Sequence, residues 1–432
     1  MKMIDTGKGR ITLLTLLAVW SISLVVDLPG LAISPVLSEL DTIFPHATHL
    51  EIQLLSTLPN FCIIPFILLS GKLSTSRSGT ALINTGMLIF LAGGVACFFA
   101  RSMTALIVTS CVIGVGCGLV IPLAAGVIAD LFSGVDRVRQ MGIKSGIANF
   151  TLVFATLVVG WMGTGDWHLP FLVYLVPVIP LALSPFLSKG YLRRTAGPSV
   201  MTPVRPSAGK AAGTPAPATP DTAPDPSTPL GRARRSRKAS VAAVWGIMAF
   251  YLTVTVCTLT VSYYLPFLMQ DYGMPDSETS VVTSVFFLFV TAAGFLLPQS
   301  VRLLRNRTAP VCVALMAGGV VLIAAFHSFW VYLVAVMAAG AGYGLLQPIF
   351  YTKASLLSPT SAEATKTISY IMTANYLGTA LTPLVFSGLG DLFHAGSHVF
   401  AFWTGGAVLA VTLVLALLKR KSFVFFISLR EA

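Results

Sequence analysis

One ionisable side chain, Asp27, lies deep inside a long apolar run that covers residues 11–36. A carboxylate in the middle of a membrane costs at least ~2.5 kcal/mol, so Asp27 is expected to face a cavity or the interior of a helix bundle. Residues spaced three or four apart lie on one face of a helix. By this spacing Asp27 shares its face with Trp20, Ser23, Gly30 and Ser34. A carboxyl group in such a place is suited to taking up and releasing a proton.

Asp27 also has a structural interpretation, in which it stays protonated and hydrogen-bonds to a neighbouring helix. Asn60 and Asn149 lie in other apolar runs and are the partners that this interpretation predicts. We favour the proton-carrying role, because acids inside membrane segments are functional by default.

Uncharged polar side chains recur along several other apolar runs. Tyr251, Thr255 and Thr258 share one helical face, and Asn149 and Asn375 occupy equivalent places in the two halves of the chain. With Asp27 they predict a cavity lining near the middle of the membrane. The remaining members of the predicted lining are Trp20, Ser23, Asn60, Tyr263, Tyr343, Gln347 and Tyr376. Taken singly, each is explained equally well by a hydrogen bond between helices.

The apolar runs are poor in other groups that bind or react. Lys144 and Lys366 stand only at the inner ends of their predicted runs, so the predicted cavity holds one carboxylate and no cation. Such a cavity suits neutral or cationic amphiphiles rather than anions. The six cysteines and six histidines show no ligand cluster and no paired nucleophile and base. We therefore expect neither a metal site nor an enzyme.

The composition requires a membrane around these residues. The chain has 432 residues, 55% of them hydrophobic and 10% charged, with a mean hydropathy of +0.83. Soluble domains have about 45–50% apolar and about 25% charged residues, which excludes a soluble enzyme, a nucleic-acid module and a secreted disulfide scaffold. Each helical span needs ~20 apolar residues. Twelve such runs are predicted, at 11–36, 49–71, 79–100, 103–129, 141–163, 169–188, 241–269, 279–301, 309–326, 329–352, 366–389 and 397–418.

The basic residues predict how these spans are oriented. All 28 Lys and Arg residues except Arg101 fall on the side of the N-terminus, so the formal net charge of +12 is a topology signal. Loops rich in Lys and Arg stay in the cytoplasm. We therefore predict an inner (plasma) membrane protein with both termini in the cytoplasm, and no nucleic-acid partner.

The apolar runs divide into two sets of six around a polar segment. We predict bundles at residues 1–190 and 241–419, a cytoplasmic tail at 420–432, and a disordered linker with nine prolines at 191–240. The linker ends in a basic run, which is predicted to anchor the next span and could also hold anionic lipid headgroups. The run consists of Arg232, Arg234, Arg235, Arg237 and Lys238.

The fourth and tenth spans repeat one pattern at a constant offset of 226 residues. The matched residues are Gly114, Gly116, Gly118 and Pro122 in the first and Gly340, Gly342, Gly344 and Pro348 in the second. Duplication of a six-helix unit is the architecture of transporters whose two halves rock against each other. The glycines are predicted to permit close packing of helices.

With twelve spans, a six-plus-six division and matched glycine-rich fourth and tenth helices, the chain resembles the major facilitator superfamily. The loop that begins at Gly71 is similar to that family's G-x-L-A-D-R-x-G-R-R motif in its first glycine and in Leu73, with Thr75 in place of the acid. Asp27 resembles the helix 1 acid of the family's drug:proton antiporters. The resemblance implies an all-α membrane protein with twelve transmembrane helices in two pseudo-symmetric six-helix bundles.

The residues and the resemblance together predict a secondary transporter that works by alternating access, with a proton gradient and no other cofactor. The first prediction is proton-coupled export of lipophilic neutral or cationic small molecules, as in multidrug efflux. The second is a proton-coupled uptake symporter for a small uncharged nutrient. The third, of another class, is an uncoupled receptor-like or lipid-moving membrane protein. We expect the protein to act as a monomer in the lipid bilayer.

Overall fold

The computed structural model is built from helices that follow the predicted spans in order. It describes residues 3–6, 8, 10–29, 43–44, 49–75, 78–163, 167–195, 229–358, 361–393, 398–419, 422 and 424. The principal helices in this part of the chain are α1 (Leu13–Ile22), α2 (His49–Leu73), α3 (Gly79–Phe99), α4 (Met103–Leu131), α5 (Gly134–Gly163), α6 (Val178–Thr195), α7 (Pro229–Thr258), α8 (Asp276–Phe295), α9 (Thr308–Ala325), α10 (Phe329–Leu356), α11 (Ser361–Leu392) and α12 (Val399–Leu418).

Nine of the described helices are long enough and apolar enough to cross a membrane. The first two spans contribute shorter apolar segments, Leu13–Val25 and Thr57–Leu73. The 32-residue helix α11 does not qualify, because polar residues recur along it. Ser369, Asn375 and Thr382 of this helix are buried, so these polar side chains point into the protein and away from lipid.

A two-stranded hairpin that the sequence did not predict precedes α1. Strand β1 (Met3–Asp5) pairs antiparallel with β2 (Arg10–Thr12). Between them, Lys8 donates hydrogen bonds through Nζ to the carbonyl oxygens of Ala129 and Asp130, 3.0 and 3.2 Å away, at the end of α4. A cation is favourable there because the last carbonyls of a helix carry partial negative charge. We call this end of the bundle the basic side; the sequence predicts it to be cytoplasmic.

The first span is less regular than predicted. α1 ends at Ile22, continues as a 3₁₀ turn over Ser23–Val25, and leaves the helix in a turn at Val26 and Asp27. Asp27 therefore stands at a break in the span rather than on the face of a continuous helix. Gly30 and Ser34, which were predicted to share that face, lie outside the described residues.

Two helices extend into the segment 191–240 that the sequence predicts to be a linker. α6 extends to Thr195 and α7 begins at Pro229, so the basic run is helical. Arginine, lysine and alanine are good helix formers, which explains why the helix continues through it. Residues 196–228 and most of the tail lie outside the described residues, as do the side chains of the basic run. The lipid contact of this run stays a prediction.

The repeated glycines of α4 lie where its backbone meets two neighbouring helices. A Cβ atom added to Gly114 or Gly118 would lie 2.5 or 2.7 Å from a carbonyl oxygen of α2. One added to Gly116 would lie 2.6 Å from a carbonyl oxygen of α3. Larger side chains at these positions would therefore push the helices apart. Pro122, the last member of the repeated pattern, is also buried in α4.

The matching glycines of α10 make the equivalent contacts in the second half. A Cβ atom on Gly340 or Gly344 would lie 2.5 or 2.4 Å from a carbonyl oxygen of α8, and one on Gly342 would lie 2.5 Å from a carbonyl oxygen of α9. Pro348 is buried in this helix as Pro122 is in α4. The two halves thus use one packing scheme at the offset that the sequence repeat has.

The two halves also meet each other toward the basic side. α2 contacts α11 at Gly71, and α5 contacts α8 where a Cβ atom on Gly142 would lie 2.4 Å from the carbonyl oxygen of Gly294. Arg137 at the start of α5 donates a hydrogen bond to Oγ of Ser355 at the end of α10, at 3.3 Å. In the part of the chain that is described, these helices are closed against one another on this side.

Candidate functional site

A cavity of about 70 Å³ lies between the two halves at the level of Asp27. Its described walls come from the turn at residues 26–29 that follows the first span, from α2 and α5 of the first half, and from α8, α10 and α11 of the second. Leu259 and the short helix Thr260–Tyr263, which follow α7, complete them. The predicted residues that line it are Asp27, Asn60, Asn149, Tyr263, Tyr343, Gln347, Asn375 and Tyr376. Apolar lining residues that the sequence analysis did not name include Ile63, Leu152, Leu259 and Phe287.

Asp27 is bonded at the break in the first span to a residue of the opposite half. Tyr376 of α11 directs its hydroxyl to Oδ1 of Asp27, at 3.3 Å, and to the carbonyl oxygen of Val26, at 3.1 Å. The thiol of Cys117 lies 3.5 and 3.4 Å from the carbonyl oxygens of Val25 and Val26. A broken helix frees carbonyl groups that need partners inside a membrane. Tyr376 and Cys117 supply those partners.

A network on the second half fixes one carboxamide of the lining. The hydroxyl of Tyr343 donates to Oδ1 of Asn375 at 2.9 Å, and Thr255 donates to the same oxygen at 3.1 Å. Two donors on one oxygen hold the amide in a single orientation. Tyr343 and Asn375 line the cavity, whereas Thr255 lies behind them and is fully buried.

Three residues of α7 that were predicted to line the cavity stand behind it instead: Tyr251, Thr255 and Thr258. Tyr251 pairs through its hydroxyl with that of Tyr351, at 3.0 Å. Thr258 donates to Sδ of Met316 at 3.3 Å. Because α7 turns this face toward α10, α9 and α11, these side chains join helices within the second half.

Trp20 and Ser23 also lie outside the lining. Trp20 donates its indole N–H to Oε1 of Gln140 on α5, at 2.7 Å. Ser23 is fully buried, and its Oγ has no hydrogen-bond partner among the described residues. The 3₁₀ turn has three residues per turn instead of 3.6, so the helical face predicted from steps of three and four does not continue to Asp27.

A second contact between the halves involves carboxamides of the lining. Asn149 donates through Nδ2 to the carbonyl oxygen of Ser145, at 2.9 Å, within α5. The hydroxyl of Ser145 donates to Oε1 of Gln347 on α10, at 2.5 Å. The wall of the cavity is therefore tied across the two bundles at this point.

The structure buries a cation, Lys144, that the sequence analysis placed at the inner end of a span. Lys144 is only 2% exposed, and its Nζ lies 4.9 Å from the centre of the Tyr351 ring. The predicted span began at residue 141, but α5 begins at Gly134, which places Lys144 about 15 Å along the helix. Lys144 is absent from the cavity lining, in which Asp27 is the one carboxylate among the described residues.

A helix-start signal in the sequence could have located Lys144 correctly. Gly134 follows Ser133 and has a φ of +57°, a backbone conformation that glycine adopts without strain. A helix that begins there includes the polar residues before Met141, of which Gln140 is buried and Arg139 is exposed.

The site offers one carboxylate and several hydrogen-bonding groups. Among the described residues, no group of three or more His, Cys, Asp or Glu side chains could hold a metal ion. Asp27 supplies the charge, and four carboxamides supply donors and acceptors. The arrangement can bind a small molecule through aromatic, amide and charge contacts, and it can exchange a proton at Asp27.

A membrane bundle made of two matched repeats, with a polar cavity between them, is the architecture of secondary transporters. A profile of the Major Facilitator Superfamily matches residues 12–305 and 259–424. The chain belongs to this family. The predicted fold of twelve transmembrane helices in two pseudo-symmetric six-helix bundles is confirmed, and so is a multi-pass membrane protein.

Two curated relatives are bacterial drug transporters. The chain is 31% identical over 132 residues to the multidrug transporter protein MdtP of Bacillus subtilis (strain 168), a match that covers 30% of this chain and 24% of the relative. It is 30% identical over 115 residues to multidrug resistance protein 3 of the same organism, covering 26% and 22%. The matches thus span about a quarter of the length of these relatives.

Solved structures share the fold at low sequence identity. The proton:xylose symporter XylE bound to 6-bromo-6-deoxy-D-glucose has a TM-score of 0.65 at 15% identity, with 94% of each chain covered. The human organic anion transporter MFSD10 (TETRAN) has a TM-score of 0.66 at 11% identity, covering 93% of this chain and 98% of that one. FucP in its outward conformation has a TM-score of 0.61 at 15% identity, covering 94% and 98%.

Proposed function

We propose that this chain exports lipophilic neutral or cationic small molecules in exchange for protons, by alternating access. The observation that carries the proposal is Asp27, a carboxyl group in a cavity between two halves and bonded to Tyr376 of the opposite half. Such a carboxyl binds either a proton or a cation, and either event changes a contact between the halves. A proton gradient is the energy source that the proposal requires.

Competition at Asp27 provides the coupling. The ionised carboxyl group attracts a cationic substrate that enters from the cytoplasm. A proton that arrives from outside neutralises the same group and releases the cation. A ligand shifts the balance between two conformations only by binding one of them more tightly. The bond from Tyr376 depends on both the charge of Asp27 and the distance between the halves, so it links protonation to conformation.

The cavity walls favour a lipophilic substrate that is neutral or cationic. Ile63, Leu152, Leu259 and Phe287 present apolar surface, and Tyr263 adds an aromatic ring. Pockets for small molecules combine an apolar lining with a few polar groups that fix orientation, and aromatic faces attract cations. The names of the two Bacillus relatives agree with this substrate class.

A second candidate is uptake of a small uncharged nutrient by proton symport. The observation that favours it is the density of hydrogen-bonding groups, since ten of the sixteen described lining residues are polar. Saturable, narrow-specificity uptake without drug resistance is the result that this candidate predicts. An uncoupled receptor-like or lipid-moving protein predicts instead that Asp27→Asn leaves activity intact and that activity ignores the pH gradient.

The test of export is a drug panel in efflux-deficient bacteria that express wild type or Asp27→Asn at matched levels. We expect wild type to raise resistance to several cationic and neutral amphiphiles. In the variant, efflux of the cations should fall about tenfold or more, the change that ~1.4 kcal/mol produces. Asp271→Asn is the matched control, because Asp271 is exposed, bonded to His398 and absent from the cavity lining.

Two outcomes would end parts of the proposal. Accumulation of an uncharged solute by cells that gain no resistance would replace export with uptake. Full protection by Asp27→Asn would make Asp27 structural and remove the proton-coupling step.

A further inference from the structure

Two asparagines that match at the repeat offset of 226 residues lie on opposite sides of the cavity. Asn149 belongs to α5 of the first half and Asn375 to α11 of the second, and both are buried and line the cavity. A ligand group that bonds to both side chains therefore contacts both bundles. Which end of each carboxamide is already bonded decides what such a group must be.

Asn149 has its nitrogen engaged and its oxygen uncommitted. Nδ2 of Asn149 donates to the carbonyl oxygen of Ser145, one turn earlier in α5, at 2.9 Å. A backbone carbonyl can only accept, so this end of the side chain must be the NH₂ group. Oδ1 of Asn149 has no hydrogen-bond partner in the described part of the chain. The first half therefore offers a hydrogen-bond acceptor to the cavity.

Asn375 has the opposite arrangement. Its Oδ1 accepts from the hydroxyls of Tyr343 and Thr255, at 2.9 and 3.1 Å. Two donors use both lone pairs of that oxygen and fix the side chain in one orientation. Nδ2 of Asn375 bonds to none of the residues that the structure describes. The second half therefore offers a hydrogen-bond donor to the cavity.

We propose that Asn149 and Asn375 together bind one neutral substrate group that both donates and accepts a hydrogen bond, such as a carboxamide, a lactam or a hydroxyl. The substrate donates to Oδ1 of Asn149 and accepts from Nδ2 of Asn375. The proposal rests on the proposed function, since it names a group that the exported lipophilic compounds carry. Asn149 and Asn375 are then specificity-determining residues.

The physical basis of this selectivity is the cost of an unpaired polar group. A site whose polar groups are built to bond a substrate strongly rejects an analogue that cannot make those bonds. Ser262 adds to this cost, because it lines the cavity and its buried Oγ has no partner among the described residues. A ligand group that bonds to both halves also binds best when they are close together, so it favours one conformation.

The selectivity can be tested with three neutral biphenyls of nearly equal shape, which end in a carboxamide, an acetyl or an isopropyl group. The amide donates and accepts, the ketone only accepts, and the isopropyl group does neither. Binding is measured on the full-length protein in lipid nanodiscs, with empty nanodiscs as the blank. We expect wild type to bind the amide about tenfold more tightly than the isopropyl compound, with the ketone between them.

Substitution of each asparagine by leucine, which has a similar shape, should remove one step of this order. Asn149→Leu lacks the acceptor, so the amide should lose its advantage over the ketone. Asn375→Leu lacks the donor, so the ketone should lose its advantage over the isopropyl compound. Asn84→Leu is the matched control, because Asn84 lies on α3 and is absent from the cavity lining; it should keep the order of wild type.

Binding of tetraphenylphosphonium, a lipophilic cation without hydrogen-bonding groups, separates this inference from the proposed function. If wild type does not bind this cation, the proposed export of cations fails, and the order of the three biphenyls still decides the inference. Wild type that fails to bind the amide, or that binds all three biphenyls equally, would overturn the inference even if it binds the cation. So would an unchanged order in both Asn149→Leu and Asn375→Leu.

Discussion

At the scale of single residues, the chemistry of Asp27 is set by its partners. In water a carboxylate is hydrated on all sides, whereas here the hydroxyl of Tyr376 replaces part of that hydration. A hydrogen bond to an ionised carboxylate is stronger than one to a neutral carboxyl group, so this bond weakens when Asp27 takes up a proton. One proton therefore changes a contact to α11 of the opposite half.

The hydroxyl of Tyr376 gives a prediction at this scale. Tyr376→Phe keeps the ring and removes the donor to Asp27 and Val26. A hydrogen bond to a charged group contributes about 1.5–3 kcal/mol, so we expect cation efflux to fall by about tenfold. Half-maximal binding of tetraphenylphosphonium should move to higher pH. Tyr370→Phe, an exposed position on the same helix, is the control; identical pH profiles for the two variants would contradict the prediction.

At the scale of helices, proline explains why the first span breaks beside Asp27. Pro29 has no N–H and cannot bond to the carbonyl of Val25, and a proline also disfavours helical geometry at the residue before it. The carbonyl oxygens of Val25 and Val26 are then free to accept bonds from Cys117 and Tyr376. The break exposes the acid and connects it to two other helices.

The contact between α5 and α8 provides a prediction at the same scale. Gly142→Val would place a side chain against the carbonyl of Gly294 and hold the halves apart on the basic side. Overpacking costs about 1–3 kcal/mol, enough to shift a two-state equilibrium about tenfold. We expect spin labels on α5 and α8 to report longer distances toward this side, and efflux to fall.

Gly318→Val is the matched control for that variant. A Cβ atom at Gly318 meets no other atom within 4 Å, so the substitution adds the same side chain without a clash. Equal label distances in the two variants would show that the Gly142 contact does not hold the halves closed.

At the scale of the whole molecule, two matched bundles meet toward the basic side and leave a cavity between them. The distribution of Lys and Arg predicts that this side is cytoplasmic. Green fluorescent protein fused to the C-terminus should therefore fluoresce, and alkaline phosphatase at the same point should be inactive. Fusions made after His327, between α9 and α10, should show the reverse pattern. An active phosphatase at the C-terminus would invert the predicted topology and the direction of transport derived from it.

The sequence by itself determined the properties that depend on short stretches of chain. Hydropathy located the spans, and the high cost of a charge in lipid made Asp27 the leading site residue. A constant offset between α4 and α10 identified the repeat, and its glycines lie where helix backbones meet because small residues are what close approach requires.

Only the tertiary structure decided which side chains reach the cavity. A membrane helix is apolar toward lipid and largely apolar toward its neighbours, so its sequence gives little indication of how it is rotated. Tyr251, Thr255 and Thr258 consequently proved to join helices, whereas Asn60 and Asn149 line the cavity. The burial of Lys144 was decided in the same way, because it depends on where α5 begins and on which helices surround it.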